Sequence, residues 1–225
     1  MMDSSGIAVH SSKEASFKTS LNEFIERQAL LATWLSQLKV PQLDSNLLNE
    51  LPDCKRFCEV LMQNGTLSIF NIGGMLPGNT VAICYFSNSK QDRVQYAIGM
   101  ASSQSYKEAL ASAIREVWQD YIYLHSYTLT DFTQEIPMFF AGDTYHMNHL
   151  KDNTTDTKET IEFFKRAKKS TKKINLDETQ TVEEQLKALE KYSKHIFVYA
   201  DNDNQDSLYF TRILSPSFLF THEYS

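Results

Sequence analysis

Two long helical periodicities, over residues 12–39 and 105–127, bracket a block of three β-type runs, and that order leaves few ways to fold. A helix must bury an apolar stripe and a sheet an apolar face, so helices of this length are expected to lie against the sheet between them. The runs are residues 66–72, 81–88 and 93–100. The first two are joined by a stretch holding Gly73, Gly74, Pro77, Gly78 and Asn79, which reads as a hairpin loop. Gly73 and Gly74 could also cradle a phosphate. No helix start follows them and no Gly-x-x-x-x-Gly-Lys pattern is present, so the hairpin is preferred. The fold class is therefore α/β.

In the first helix Phe17, Leu21, Phe24, Gln28, Leu31 and Leu35 recur at helical spacing and form its main stripe. A second line carries Glu23, Glu26 and Arg27, three and four residues apart and hence on one face. It runs on into Leu30 and Trp34. Charges that continue into large apolar residues point to a face turned toward protein or ligand. The alternative is a solvated face with incidental pairs. Two carboxylates and a guanidinium together suit Mg²⁺ and phosphate, since Mg²⁺ is usually held by one or two carboxylates plus substrate phosphates. The second helix has a very wide apolar arc (Tyr106, Leu110, Ala113, Ile114, Val117, Trp118, Tyr121 and Ile122), with Glu116 and Gln119 at its margin. A carboxylate bordering such a surface needs a partner or a metal.

A chain of 225 residues can bury a substantial core as one domain. Its formal charge of −6 supplies no basic field for nucleic acid or an anionic membrane. The run Lys165-Arg-Ala-Lys-Lys-Ser-Thr-Lys-Lys173 is flanked by acidic residues and lacks interleaved aromatics, so it reads as a solvated helix end. No apolar run approaches the ~20 residues of a membrane span. The first residues lack the basic and apolar regions of a signal peptide, which places the protein in the cytoplasm by default.

Cys54, Cys58 and Cys84 form no framework. Cys54 and Cys58, one helical turn apart, read as two thiols on a helix with one facing the core rather than a metal half-site. His146 and His149, in a Gly/Asp/Asn-rich stretch, read as a surface loop. Other expected elements are short helices over 53–63, 156–168 and 182–192, an irregular aromatic segment over 128–150, and a strand pair over 195–200 and 207–214.

Taken together, Ser-x-x-Glu-x-x-Glu-Arg at Ser20, Glu23, Glu26 and Arg27, and Glu-x-x-Gln at Glu116 and Gln119, resemble the nucleotide-binding signatures of the YcaO family of ATP-dependent enzymes. The resemblance runs along almost the whole chain. It includes Asp3-Ser-Ser-Gly-Ile-Ala-Val-His10, Trp34, Ser68-Ile-Phe-Asn-Ile72, Gly99, Leu124-His125, Ile196-Phe-Val-Tyr199 and Ile213-Leu-Ser-Pro216. It implies a YcaO-like fold of long helices on a mainly antiparallel β-sheet.

The resemblance also implies an ATP- and Mg²⁺-dependent peptide cyclodehydratase subunit. A Cys, Ser or Thr side chain of a ribosomal precursor peptide attacks the preceding amide carbon, ATP phosphorylates the oxyanion, and phosphate leaves to give an azoline. Carried over, Glu23, Glu26 and Glu116 would hold the metal, while Ser20, Glu23, Glu26, Arg27, Glu116 and Gln119 would bind the nucleotide. The implied partners are the precursor peptide, a peptide-binding subunit and a flavin-dependent dehydrogenase. The chain departs from the family in several places. Ala8 and Ala15 stand where relatives tend to carry a serine and an acid, although Glu14 is adjacent to Ala15, and Asn71 stands where relatives carry a sheet-end aspartate. The family's earlier Glu-x-x-Glu-Arg-type helix and its proline-rich tail are not represented. Residues 1–225 are thus expected to be one incomplete YcaO-like domain, inactive alone, or else a degenerate relative acting as a binding or scaffold partner.

Overall fold

The computed structural model describes residues 5–36, 39–74, 76–129, 163–164, 166–171, 173–203 and 207–218. Strand β1 (Ile7–His10) leads into helix α1 (Lys13–Ser36), which is followed by β2 (Pro41–Leu43) and two 3₁₀ turns, Ser45–Glu50 and Pro52–Cys54. Helix α2 (Lys55–Asn64) and strands β3 (Gly65–Asn71), β4 (Asn79–Ser87) and β5 (Tyr96–Ser103) come next. Helix α3 (Tyr106–Leu129), the short β6 (Lys168–Lys169), helix α4 (Val182–Leu189), β7 (Phe197–Asp203) and β8 (Leu208–Leu214) complete the order.

Two sheets result. One runs β5-β4-β3-β2-β6, antiparallel except for β2 with β6, and the other runs β1-β8-β7, antiparallel throughout. Strand β4 is central, and residues 79–85 are all buried, as expected for a strand covered on both faces. Helices α2 and α3 cover one face through Leu61, Leu67, Ile69, Val81, Ile83, Leu110, Ile114 and Val117. Phe163 and Phe164 pack with Phe70, Ala82, Cys84 and Tyr96 on the other.

Helix α1 bridges the sheets. Leu21, Phe24 and Ile25 pack with Leu189 of α4 and Ile213 of β8. Two serines let it approach closely. Ser16 Oγ donates to the Ala8 carbonyl and shares a hydrogen bond with the Thr211 hydroxyl, and Ser20 Oγ donates to the Gly6 carbonyl. The backbone of Gly6 is left-handed (φ +69°), and a Cβ there would stand 2.5 Å from the Ile213 carbonyl oxygen. Glycine is the residue that such a turn admits without strain.

Several expectations are corrected. Strand β5 begins and ends three residues later than the run over 93–100, because its serine-rich end still pairs: Ser102 lies opposite Thr80 and Ser103 opposite Asn79. Helix α3 reaches Leu129, past the expected break. Residues 130–150, with His146 and His149, lie outside the described residues. Of the helix expected over 156–168, only Phe163 and Phe164 are described as helical, while Lys168 and Lys169 form β6. The open edge of β2 captures this segment, with Ser170 N–H donating to the Gln42 carbonyl at 2.7 Å. Cys54 and Cys58 are both buried, rather than one. On α1, Leu35 and Trp34 are 43% and 41% exposed, so its C-terminal turn lies outside the main core. Among the described residues no helix is long and apolar enough to cross a membrane.

Candidate functional site

Strand β5 lies at one end of its sheet, and α1 and α3 both meet it there. The outward N–H of Ile98 donates to Asp120 Oδ2 at 3.1 Å, and that of Met100 to Glu116 Oε2 at 2.7 Å. The main chain of Ser102 faces the Glu26 carboxylate and favours its charged form. Three alternate strand residues therefore present their amides to three carboxylates from two helices. The spacing follows from elementary geometry. Four residues of helix rise about 6 Å and two residues of strand about 6.6–6.8 Å, so an i,i+4 acidic pair matches an i,i+2 amide pair. Gly99 brings the elements together. A Cβ there would lie 2.2 Å from the Ala113 carbonyl oxygen and 2.5 Å from Val117 N.

The site is acidic and crowded. Glu26 is 8% exposed. Burial, reinforced by Glu23 and Glu116 and opposed by Arg27 and the Ser102 main chain, pushes its carboxyl up to about 8. Glu116 is exposed as a residue, but its carboxylate is seated among protein atoms on β5. Burial also raises its pKa, against the pull of the Met100 amide and Arg27. Arg27 Nε donates to Glu23 Oε1 at 2.9 Å. Burial works against the Arg27 charge, but Glu23, Glu26 and Glu116 outweigh it and hold its pKa above the ordinary value. One guanidinium faces three acidic groups. Burial first, and then repulsion from Glu23 and Glu116, favours the protonated form of Glu26, and a cation added to this cluster would offset both.

Of the residues singled out from the sequence, Glu23, Glu26, Arg27 and Glu116 are brought within electrostatic reach of one another. Gln119 is exposed one turn along α3. Ser20 is fully buried, and its hydroxyl is committed to holding α1 against Gly6. Among the described residues no group of three or more His, Cys, Asp or Glu side chains converges on a point that a metal could occupy. Glu23, Glu26 and Glu116 are thus not gathered into a ready three-ligand cage. Glu23 is turned to Arg27, and Glu26 and Glu116 to β5. The donor set fits a divalent ion that arrives with phosphates and needs only one or two carboxylates.

Sequence reasoning missed Asp120. It lies four residues after Glu116 on the same helical face, and that spacing was the available signal. It also missed the amide cluster beneath α1, where Gln104 Nε2 donates to Asn22 Oδ1 and to Oε1 of the fully buried Gln185. The loop holding Gly73 and Gly74 is the expected hairpin. Asn71 takes a separate role at its base, donating to the Tyr106 hydroxyl at 2.8 Å and accepting from Gly73 N–H. The thiols offer no reactive alternative, since burial pushes Cys58 up to about 11 and Cys84 higher still.

Comparison with known proteins follows the same lines. The sequence model of the YcaO family, described as a cyclodehydratase that binds ATP and Mg²⁺, matches residues 1–219. The microcin B17-processing protein McbD of Escherichia coli is 28% identical over 227 residues, covering 98% of this chain and 55% of McbD. A chain of the E. coli microcin synthetase McbBCD complex with pro-MccB17 bound superposes with a TM-score of 0.80 at 25% identity, over 97% of this chain and 55% of its own. YcaO from Methanopyrus kandleri, bound with AMPPCP and Mg²⁺, shares the fold, with a TM-score of 0.65 at 10% identity over 94% and 54%. The chain spans about half the length of each of these relatives.

Proposed function

The chain belongs to the YcaO cyclodehydratase family, and we propose that it supplies the metal- and phosphate-binding helices of an ATP-dependent peptide cyclodehydratase. The observation that carries this is the approach of Glu23, Glu26 and Glu116 to Arg27 where α1 and α3 meet the β5 edge. In this reading Glu26 and Glu116 hold Mg²⁺, with Glu23 beside them. Arg27 offsets the charge on the phosphates, and Gln119 offers a polar contact from α3. Ser20 takes the nucleotide's side only indirectly, by seating α1. Bound Mg-ATP supplies the phosphoryl group that turns an amide oxygen into a leaving group during azoline formation from Cys, Ser or Thr. The residues contribute positioning and charge neutralisation, which dominate phosphoryl transfer.

The substrate is a ribosomal precursor peptide. The partners are a peptide-binding subunit and a flavin-dependent dehydrogenase that oxidises azoline rings. The McbD-containing complex with pro-MccB17 bound supports an assembly of this kind. The chain, about half as long as its relatives, is expected to need the rest of the domain, in the same or another polypeptide, for turnover. A second reading, a YcaO-like binding partner without turnover, is favoured by Ala8 and Ala15, which stand where relatives tend to carry a serine and an acid.

Calorimetric titration with AMPPCP, with and without Mg²⁺, separates the two readings. The enzyme reading expects Mg²⁺-dependent binding that falls about tenfold or more in Glu116→Ala. No heat at millimolar nucleotide would sink it and leave the scaffold reading.

A further inference from the structure

We propose that Asp120 is a positioning residue that fixes the register of α3 on β5 and so places the Glu116 carboxylate. The proposal rests on the assignment of Glu116 to the metal site. Asp120 and Glu116 lie one turn apart on α3 and hold the amides of Ile98 and Met100, two residues apart on β5. Two parallel bonds of matched spacing fix translation along the strand, which one bond cannot do. Sliding α3 along the strand by half a turn, about 2.7 Å, would stretch both out of hydrogen-bond range. Between the two amides, at Gly99, α3 lies so close that a Cβ would also stand 2.9 Å from Glu116 Cβ. The packing therefore tolerates little rotation of the helix either. With α3 packed against Gly99, the Asp120 bond keeps the helix in register while the Glu116 side chain turns toward a ligand.

The test is residue-resolved amide hydrogen exchange on the full chain, read with AMPPCP–Mg²⁺ affinity, in Asp120→Ala, Asp120→Asn and Asp120→Glu. In Asp120→Ala, exchange should rise about tenfold or more at Ile98 and also at Met100, whose own partner is untouched, while Ile69 in β3 stays protected. Asp120→Asn keeps an acceptor and should hold Met100 near wild type. Asp120→Glu displaces the acceptor by one methylene and should loosen Met100, which covers the case in which the alanine variant does not fold. Affinity should fall about tenfold in Asp120→Ala, as for other residues that orient a metal ligand. Faster exchange at Ile98 alone would overturn the proposal, as would unchanged affinity despite a loosened Met100. A wild type that binds no nucleotide would overturn the metal-site assignment instead, and the exchange pattern would still decide whether Asp120 sets the register.

Discussion

Replacing Glu26 by Gln should make the metal-free protein more stable at neutral and alkaline pH, although the substitution removes a residue assigned to the site. In the fold its carboxyl is raised from 4.5 to about 8 by burial and by Glu23 and Glu116, with Arg27 opposing. A raised acid binds its proton more tightly in the native state than in the unfolded chain. Stability therefore falls as pH climbs from about 4.5 through about 8, and levels off above. At ~1.4 kcal/mol per pKa unit, the cost is about 3 kcal/mol at pH 7 and approaches ~5 kcal/mol well above pH 8. Because Glu116 is raised as well, the observed midpoint belongs to the carboxylate cluster rather than to one residue. Glutamine carries no charge, and its carbonyl oxygen accepts the Ser102 amide in place of the carboxylate. Urea denaturation of both proteins between pH 6 and 9, without divalent ions, cancels titrations that the variant leaves untouched. The wild type should lose roughly 2–3 kcal/mol more than Glu26→Gln over that range. Parallel curves, or a variant that loses more, would refute the account of a carboxyl held protonated by burial and its acidic neighbours.

Other substitutions follow from the same geometry. Gly99→Ala sets a methyl group against the α3 backbone at Ala113 and Val117, neither of which can swing aside. It should cost about 2–3 kcal/mol in urea denaturation and weaken AMPPCP–Mg²⁺ binding, because Glu116 moves with the helix. Ser20→Ala removes a buried hydroxyl from the Gly6 carbonyl, which still accepts from Ile213 N–H. It should cost about 1 kcal/mol, with nucleotide affinity changed less than in Glu116→Ala, measured by denaturation and calorimetry. Arg27→Ala leaves Glu23, Glu26 and Glu116 without their shared cation. It should destabilise by about 1–3 kcal/mol at pH 8 and by less at pH 6, where Glu26 is protonated, as thermal unfolding at the two values can show.

The helices and strands were legible because their periodicities are strong. The wide apolar arc of α3 and the β-type runs of β3 and β4 locate a helix on a sheet without further information. The ends were less so. Strand β5 carries Ser102 and Ser103, weak strand formers, and is held there by pairing with β4 that no local pattern records. Strand β6 exists only because the edge of β2 takes up a basic segment that reads locally as helix. In the site, spacing alone put Glu23, Glu26 and Arg27 on one face, and resemblance joined Glu116 to them. What the sequence could not convey is that the amides of β5 engage these carboxylates, since edge N–H groups leave no compositional trace. The same blindness hid Asp120 and the bond by which Ser20 seats α1 against Gly6.

The measurement that tests the central claim most directly is paramagnetic broadening of backbone amide resonances by Mn²⁺ substituted for Mg²⁺ in the presence of AMPPCP. Broadening centred on Ile98, Met100 and Ser102 and on the α1 and α3 residues that flank them is the predicted result. It should be absent in Glu116→Ala. Broadening centred elsewhere, or none at all with the nucleotide present, would contradict the assignment of this edge as the metal and phosphate site.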